Sequence, residues 1–310
     1  ASNALSAIQT HLGSRLDGAR LQAGQVLAQA LLGPAEPDEL ELRDAREWTA
    51  LVTDLLDLAT TRLVGRPQVR VFNPERAGNG WESDHTVVQV VNDDMPFLVD
   101  SVGMALAANG VATHLLFHPV LSAARDGAGN LAALGQGDLA ESVMHIEVDR
   151  IGEPGRLVAL RESIERALAD VRAAVADWRA MRERMRALAE DLAAEPVPLQ
   201  LDEREEVRDF LRWMADDHFT FLGYREYEVV PGDGDELLRA VPGTGLGVMR
   251  GDEAGVVPRS VRSLAAHDAE KPGAMRAIII TKTNARATVH RPGYMDYVGV
   301  LRFDEQGRAI

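Results

Sequence analysis

Between Pro154 and Glu195 the chain repeats an apolar pattern every seven residues. Leu157, Ile164, Val171, Trp178, Met185 and Leu192 form one series, and Leu160, Ala167, Ala174, Met181 and Leu188 form a companion series three residues on. This is the a/d seam of a long helix. A helix of some 40 residues reaches about 60 Å at 1.5 Å per residue, longer than a small sheet can cover. Part of the seam therefore needs a partner elsewhere: the N-terminal helices, which offer Leu51, Leu55 and Leu58, or the same helix of a second copy. Trp178 fits poorly into a tight two-stranded coil, so an intramolecular bundle with Trp178 buried is expected. Pro196 and Pro198 stop the helix.

The flanking patterns divide the chain into three. Residues 1–64 read as helical, with Leu5, Ile8, Leu12 and Leu16 on one face and Trp48, Leu51, Leu55 and Leu58 on another; Asp38 in "GPAEPDEL" is the expected N-cap between them. Residues 65–199 alternate strand and helix: "QVRVF" (Gln68–Phe72), "TVVQVV" (Thr86–Val91), a helix from Met95 to Asn109, "THLLFHPVL" (Thr113–Leu121) and "VMHIEVD", then the heptad helix. In "VMHIEVD", Met144, Ile146 and Val148 alternate with His145, Glu147 and Asp149, which predicts one dry face and one wet face. Residues 200–310 hold a short amphipathic helix, a long aromatic-rich strand "HFTFLGYREYEVV" and further strands. The expected fold class is α+β: N-terminal helices, a ferredoxin-like βαββα antiparallel sheet with the long helix, then a second mixed α/β domain cut off at its C-terminus. "QVRVF" either completes the sheet from upstream, or the unit lacks a fourth strand.

The stretch "VVNDDMPFLVDSVGMALAANG" (Val90–Gly110) turns a buried strand into a helix through two adjacent carboxylates. One reading is a helix cap, with Asp93 or Asp94 accepting an orphan N–H and Pro96 in the first turn. The other is a ligand site: a helix N-terminus holds a carboxylate, an adjacent Asp holds an ammonium, and together they suit an α-amino acid. The residues at stake are Asn92, Asp93, Asp94, Met95, Pro96, Phe97 and Leu98.

"NDDMPFLVDSV" after a valine strand resembles the β1–α1 ligand loop of an ACT domain, in which an Asp is followed by Pro or Gly and then Leu. More narrowly, "VVNDDMPFLVDSVGMAL" with "HPVL", "ESVMHIEVDR", "DDHFTFLGYREY", "GTGLGVMR" and "TVHRPGYMDYVGV" resembles the N-terminal region of the large bacterial NAD-specific glutamate dehydrogenases. The resemblance implies an allosteric and assembly region of an enzyme that deaminates L-glutamate with NAD, having an amino-acid effector and homo-oligomeric assembly. It places NAD and the catalytic residues in a downstream region of the same chain, with no catalytic residue, metal or cofactor here. A free-standing ACT-like amino-acid-binding or scaffolding protein is the alternative.

Composition narrows the rest. Among the 310 residues, 33 basic against 48 acidic give a net charge of −15, which repels phosphate backbones and anionic lipid. Neither a nucleic-acid nor a membrane partner is expected. The chain has no cysteine and no signal peptide or membrane-span pattern, so a cytoplasmic location is expected. It opens on Ala1 without a methionine and closes just after a strand and turn, as a piece of a longer protein would. Three competing sites remain. "GTGLG" (Gly243–Gly247) lacks a following helix and reads as a glycine-rich hairpin rather than a dinucleotide loop. His114, His118, His145 and Glu147 share the expected wet face and could ligate a metal, although alternation alone explains them. "TVHRPGYMDY" gathers His290, Arg291, Tyr294 and Asp296 in a surface turn.

Overall fold

Four helices open the chain: α1 (Ser2–Gly13), α2 (Gly18–Leu32), α3 (Pro37–Glu41) and α4 (Ala45–Ala59). Glu36 and Glu39 cap α3 reciprocally, and Asp44 caps α4 by accepting from the amides of Arg46 and Glu47. Asp38 lies inside the first turn of α3 rather than at its cap, because Pro37 already opens the helix. This computed structural model describes residues 2–194, 201–231, 236–251, 278–304 and 306. Contacts group the chain into two units, Ala1–Leu168 and Ala169–Ile310. Pro196 and Pro198, the expected stops of the long helix, lie outside the described residues.

In the first unit, β1 (Gln68–Phe72), a short α5 (Arg76–Asn79), β2 (Thr86–Asp93), α6 (Leu98–Ala108), β3 (Thr113–Phe117), β4 (Val120–Arg125), β5 (Leu131–Leu134) and β6 (Leu139–Val148) follow the helices. The strands form one antiparallel sheet in the order β1-β2-β6-β4-β5, with β3 also beside β6. "QVRVF" thus joins from upstream as an edge strand on β2. The stretch expected as one strand from Thr113 to Leu121 breaks at His118-Pro119, since Pro119 has no N–H for the ladder; both pieces pair with β6.

Both faces of this sheet are covered. Val87, Val91, Leu115, Phe117 and Val143 form one core with Ile8, Leu12, Leu27, Leu31, Trp48, Leu51 and Leu55 of the N-terminal helices. In the pairing register Gln89 and Val87 oppose His145 and Glu147, so these polar residues lie on that helix-covered face. The face expected to be wet is dry: His145 is fully buried and Glu147 is 3% exposed. Period two marks which residues share a face, but not whether water or a helical layer lies against it. On the opposite face Val88, Val90, Met144, Ile146 and Val148 are buried, as are Leu98, Val102 and Leu106 of α6. Leu160 and Ile164, in the opening turns of α7 (Pro154–Ala194), are buried too, and Asn109 at the end of α6 donates to Ser163 of α7 at 3.0 Å.

In the second unit the later turns of α7 bury Met185, Ala189 and Leu192 against Leu211 of α8 (Leu201–Trp213), Met214, Ala215 and Phe303. The seam's partner here is thus not Leu51, Leu55 and Leu58, which pack in the sheet core of the first unit. Trp178 also departs from expectation. It is 38% exposed and lies beneath the guanidinium groups of Arg179 and Arg182, at 5.2 and 4.7 Å from its ring. Its neighbour Asp177 turns inward instead, where it accepts from the amide of Gly247 at 2.8 Å and pairs with Arg250. An indole covered by cations needs no core. The aromatic strand expected after α8 is also interrupted. A π-helical turn, Met214–His218, precedes β7 (Gly223–Tyr224) and β8 (Tyr227–Pro231). The chain changes partner between those two strands, from β10 (Leu246–Gly247) to β9 (Glu236–Ala240). β11 (Ile278–Arg286) and β12 (Tyr294–Val300) form a hairpin around the turn that holds His290 and Arg291.

Candidate functional site

Strand β2 runs further than its valines suggest. Asn92 and Asp93 are still in the ladder, opposite Ser142 and Glu141 of β6, and α6 begins only at Leu98. Neither acid caps the helix. The N-cap position belongs to Phe97, in the left-handed region at φ 73°, with no side-chain cap, and Pro96 precedes the helix rather than filling its first turn. The capping reading fails because the strand outlasts the carboxylates.

The seven loop residues divide by environment. Asn92 is buried, Leu98 is buried as the first residue of α6, Met95 and Phe97 are half-buried, and Asp94 and Pro96 are exposed. The Asp93 carboxylate is committed to protein partners, pairing with the Arg62 guanidinium at 2.8 Å and accepting from the amide of Gly65 at 2.8 Å. Asp94 is pinned through its backbone, whose amide donates to the carbonyl of Ala140 at 2.8 Å. Its carboxylate accepts no hydrogen bond among the described residues. Near it stands His118, half-buried and 2.7 Å from the Ser142 hydroxyl. Burial pushes that imidazole below its ordinary value, while the charge of Asp94 pulls the other way. One turn into α6, the Ser101 hydroxyl is buried and has no hydrogen-bond partner among the described residues.

Sequence reasoning found the loop but missed Arg62, Ser101, His118 in this role and Ser142. Only the strand register could have supplied Ser142, as the residue opposite Asn92. No local signal marks Arg62, which reaches Glu141 at 2.5 Å across 79 positions of sequence.

The competing sites come apart. His118 reaches Ser142, one residue out of phase on β6 with His145 and so on the other face of the sheet. His114 is exposed, pairing with Asp149 at 2.7 Å and stacking on His85 at 4.3 Å between centroids. His118 therefore lies across the sheet from His145 and Glu147, so the four side chains do not gather as one ligand set, and among the described residues no group of three or more is placed to hold a metal. The glycine loop does not fit a dinucleotide. Its Gly247 amide is already spent on Asp177, whose carboxylate would repel a pyrophosphate; its last two residues are paired strand, and a turn rather than a helix follows.

A strand whose end feeds an exposed acid, a proline and an apolar helix, within an antiparallel sheet, is the arrangement that the resemblance implied. Residues 27–164 match the family described as "Glutamate dehydrogenase, ACT1 domain". Over 251 residues the chain is 37% identical to the NAD-specific glutamate dehydrogenase of Halomonas elongata, covering 79% of this chain and 16% of that protein. Over 312 residues it is 33% identical to that of Pseudomonas aeruginosa, covering 98% and 19%. The chain belongs to the NAD-specific glutamate dehydrogenase family. A more distant member, from Mycobacterium tuberculosis, is 27% identical over 236 residues. The chain spans less than a fifth of the length of these relatives. Among the described residues, no helix is long and apolar enough to cross a membrane.

Proposed function

We propose that this chain is an allosteric and assembly region of an NAD-dependent glutamate dehydrogenase, and that its β2–α6 loop, Asn92–Leu98, binds an amino-acid effector. The reaction of the whole protein, L-glutamate with NAD to 2-oxoglutarate, ammonia and NADH, then belongs to a downstream part of a longer cytoplasmic chain. That part would hold the NAD and be the partner of this region. "QVRVF" is read as the fourth strand of the ACT-like unit, supplied from upstream. The observation that carries the effector reading is the placement of Asp94. It is an exposed acid beside His118, at the head of a helix whose N-cap residue, Phe97, makes no side-chain cap. An α-carboxylate suits the first amides of that helix, and the ammonium suits Asp94.

Calorimetric titration of the purified chain with the common L-amino acids tests this reading. One should bind, and Asp94→Ala should weaken it about tenfold or more, the size of a lost charge-assisted contact. Absence of binding, or binding indifferent to Asp94, refutes it. Under the same proposal the chain self-associates through its sheet with the effector near that interface, so sedimentation should show a species larger than the monomer. The isolated chain should also form no NADH from glutamate.

A further inference from the structure

We infer that Arg62 is a positioning residue of the β2–α6 loop and couples that loop to the N-terminal helical layer. The functional weight of this inference rests on the effector reading above. Arg62 follows the last turn of α4, and its side chain is fully buried. Its guanidinium contacts Asp93 at 2.8 Å and Glu141 at 2.5 Å, and donates to the carbonyls of Leu63 and Arg66 at 3.3 and 3.2 Å. Arg125 grips the same Glu141 from β4, at 2.6 and 2.8 Å, and ties it to the carbonyls of Ala59 and Gly129. The backbone amide of Arg62 also donates to Gly129 at 2.9 Å. The end of α4, the β4–β5 turn, β6 and the effector loop thus meet at one cluster of two cations and two carboxylates.

Buried ion groups of this kind add little stability over a well-packed apolar cluster, and their best-attested contribution is to fix one arrangement among several. Here the member nearest solvent is Asp93, at 19% side-chain exposure against 0–1% for Arg62, Glu141 and Arg125. The end of α4 therefore sets where Asp93 sits, and Asp93 sets where the next residue, Asp94, points. A ligand on Asp94 would pull on the same connection in reverse. Because such coupling is reciprocal, it can be read from the N-terminal side without any ligand.

The experiment is hydrogen–deuterium exchange of the ligand-free chain against Arg62→Gln. Glu141 keeps Arg125 in this variant and Asp93 borders solvent, so no charge is stranded in the core. The amides of Gly65 and Asp94, which donate to Asp93 and Ala140, should exchange about tenfold faster, as expected for one lost charge-assisted contact, with β6 and α4 unchanged. Unchanged loop exchange overturns the inference. So does an equal acceleration throughout the unit, which a merely structural arginine would give. Should Arg62→Gln fail to fold, Asp93→Asn decides by the same amides. If wild type binds no amino acid while the loop-limited pattern is seen, the effector reading falls and the coupling stands.

Discussion

Arg43 and Glu147, 104 residues apart in the chain, meet at 2.8 Å with both side chains nearly excluded from water. The guanidinium lies between the rings of Trp48 and Trp81, at 5.1 and 5.3 Å from their centroids. Glu147 also accepts from the Ser83 hydroxyl at 2.8 Å and from the His145 imidazole at 3.3 Å. This cluster joins the segment between α3 and α4 to the middle of the sheet. Arg43→Met should cost about 3–5 kcal/mol in urea unfolding, because it leaves a carboxylate buried without its cation. Adding Glu147→Gln to Arg43→Met should recover part of that loss; further destabilisation would show that Arg43 acts through the tryptophan rings alone.

Acid should destabilise the first unit through the same cluster. Burial would push the Glu147 carboxyl up, but the hydrogen bond from His145 and the charge of Arg43 outweigh it and bring it down to about 2 from an ordinary 4.5. A carboxylate lowered by folding contributes stability that is complete above its unfolded value and is lost as pH falls from 4.5 toward about 2. Burial also lowers the His145 imidazole below 6.5, so the unfolded chain takes up that proton first and acidification costs stability there too. Unfolding midpoints of wild type and Glu147→Gln, followed from neutral pH downward, should separate above pH 4.5 and converge below it. Parallel curves would remove Glu147 from the account.

Gly129 should tolerate no side chain. Its φ of +87° disfavours any L residue, and a Cβ there would lie 2.6 Å from the carbonyl oxygen of Arg62. Gly129→Ala should therefore destabilise by about 2 kcal/mol or more, combining left-handed strain with a backbone clash. A thermal midpoint equal to that of wild type would show that the β4–β5 turn can move away from Arg62.

Trp178 and Met181 should respond unequally to truncation. Met181 is 1% exposed, and Met181→Ala should cost about 2–5 kcal/mol. Trp178→Ala should cost less than about 1.5 kcal/mol, since its ring meets arginine side chains at the surface rather than a core. Equal losses would place the indole in a core after all.

Much of the local structure was legible in order along the chain, because it depends on neighbours a few positions apart. The seven-residue series marked α7, the alternation in "QVRVF" and "VMHIEVD" marked β1 and β6, and the Asp-Asp-Met-Pro run marked the loop before α6. The family resemblance could be read from the strings themselves, and the comparisons bear it out. What lay against each element could not be read this way. His145 and Glu147 looked like solvent-facing residues because alternation encodes a face and not its cover; only the N-terminal helices, packing Trp48 and Leu51 onto that face, made it a core. Asp93 looked like a cap or a ligand because its partner Arg62 precedes it by a turn, an edge strand and a loop. A charge pair formed across the fold leaves no periodic trace in sequence. Periodicity is local and fixes the elements, whereas burial and charge pairing are long-range, and the tertiary structure alone decides them.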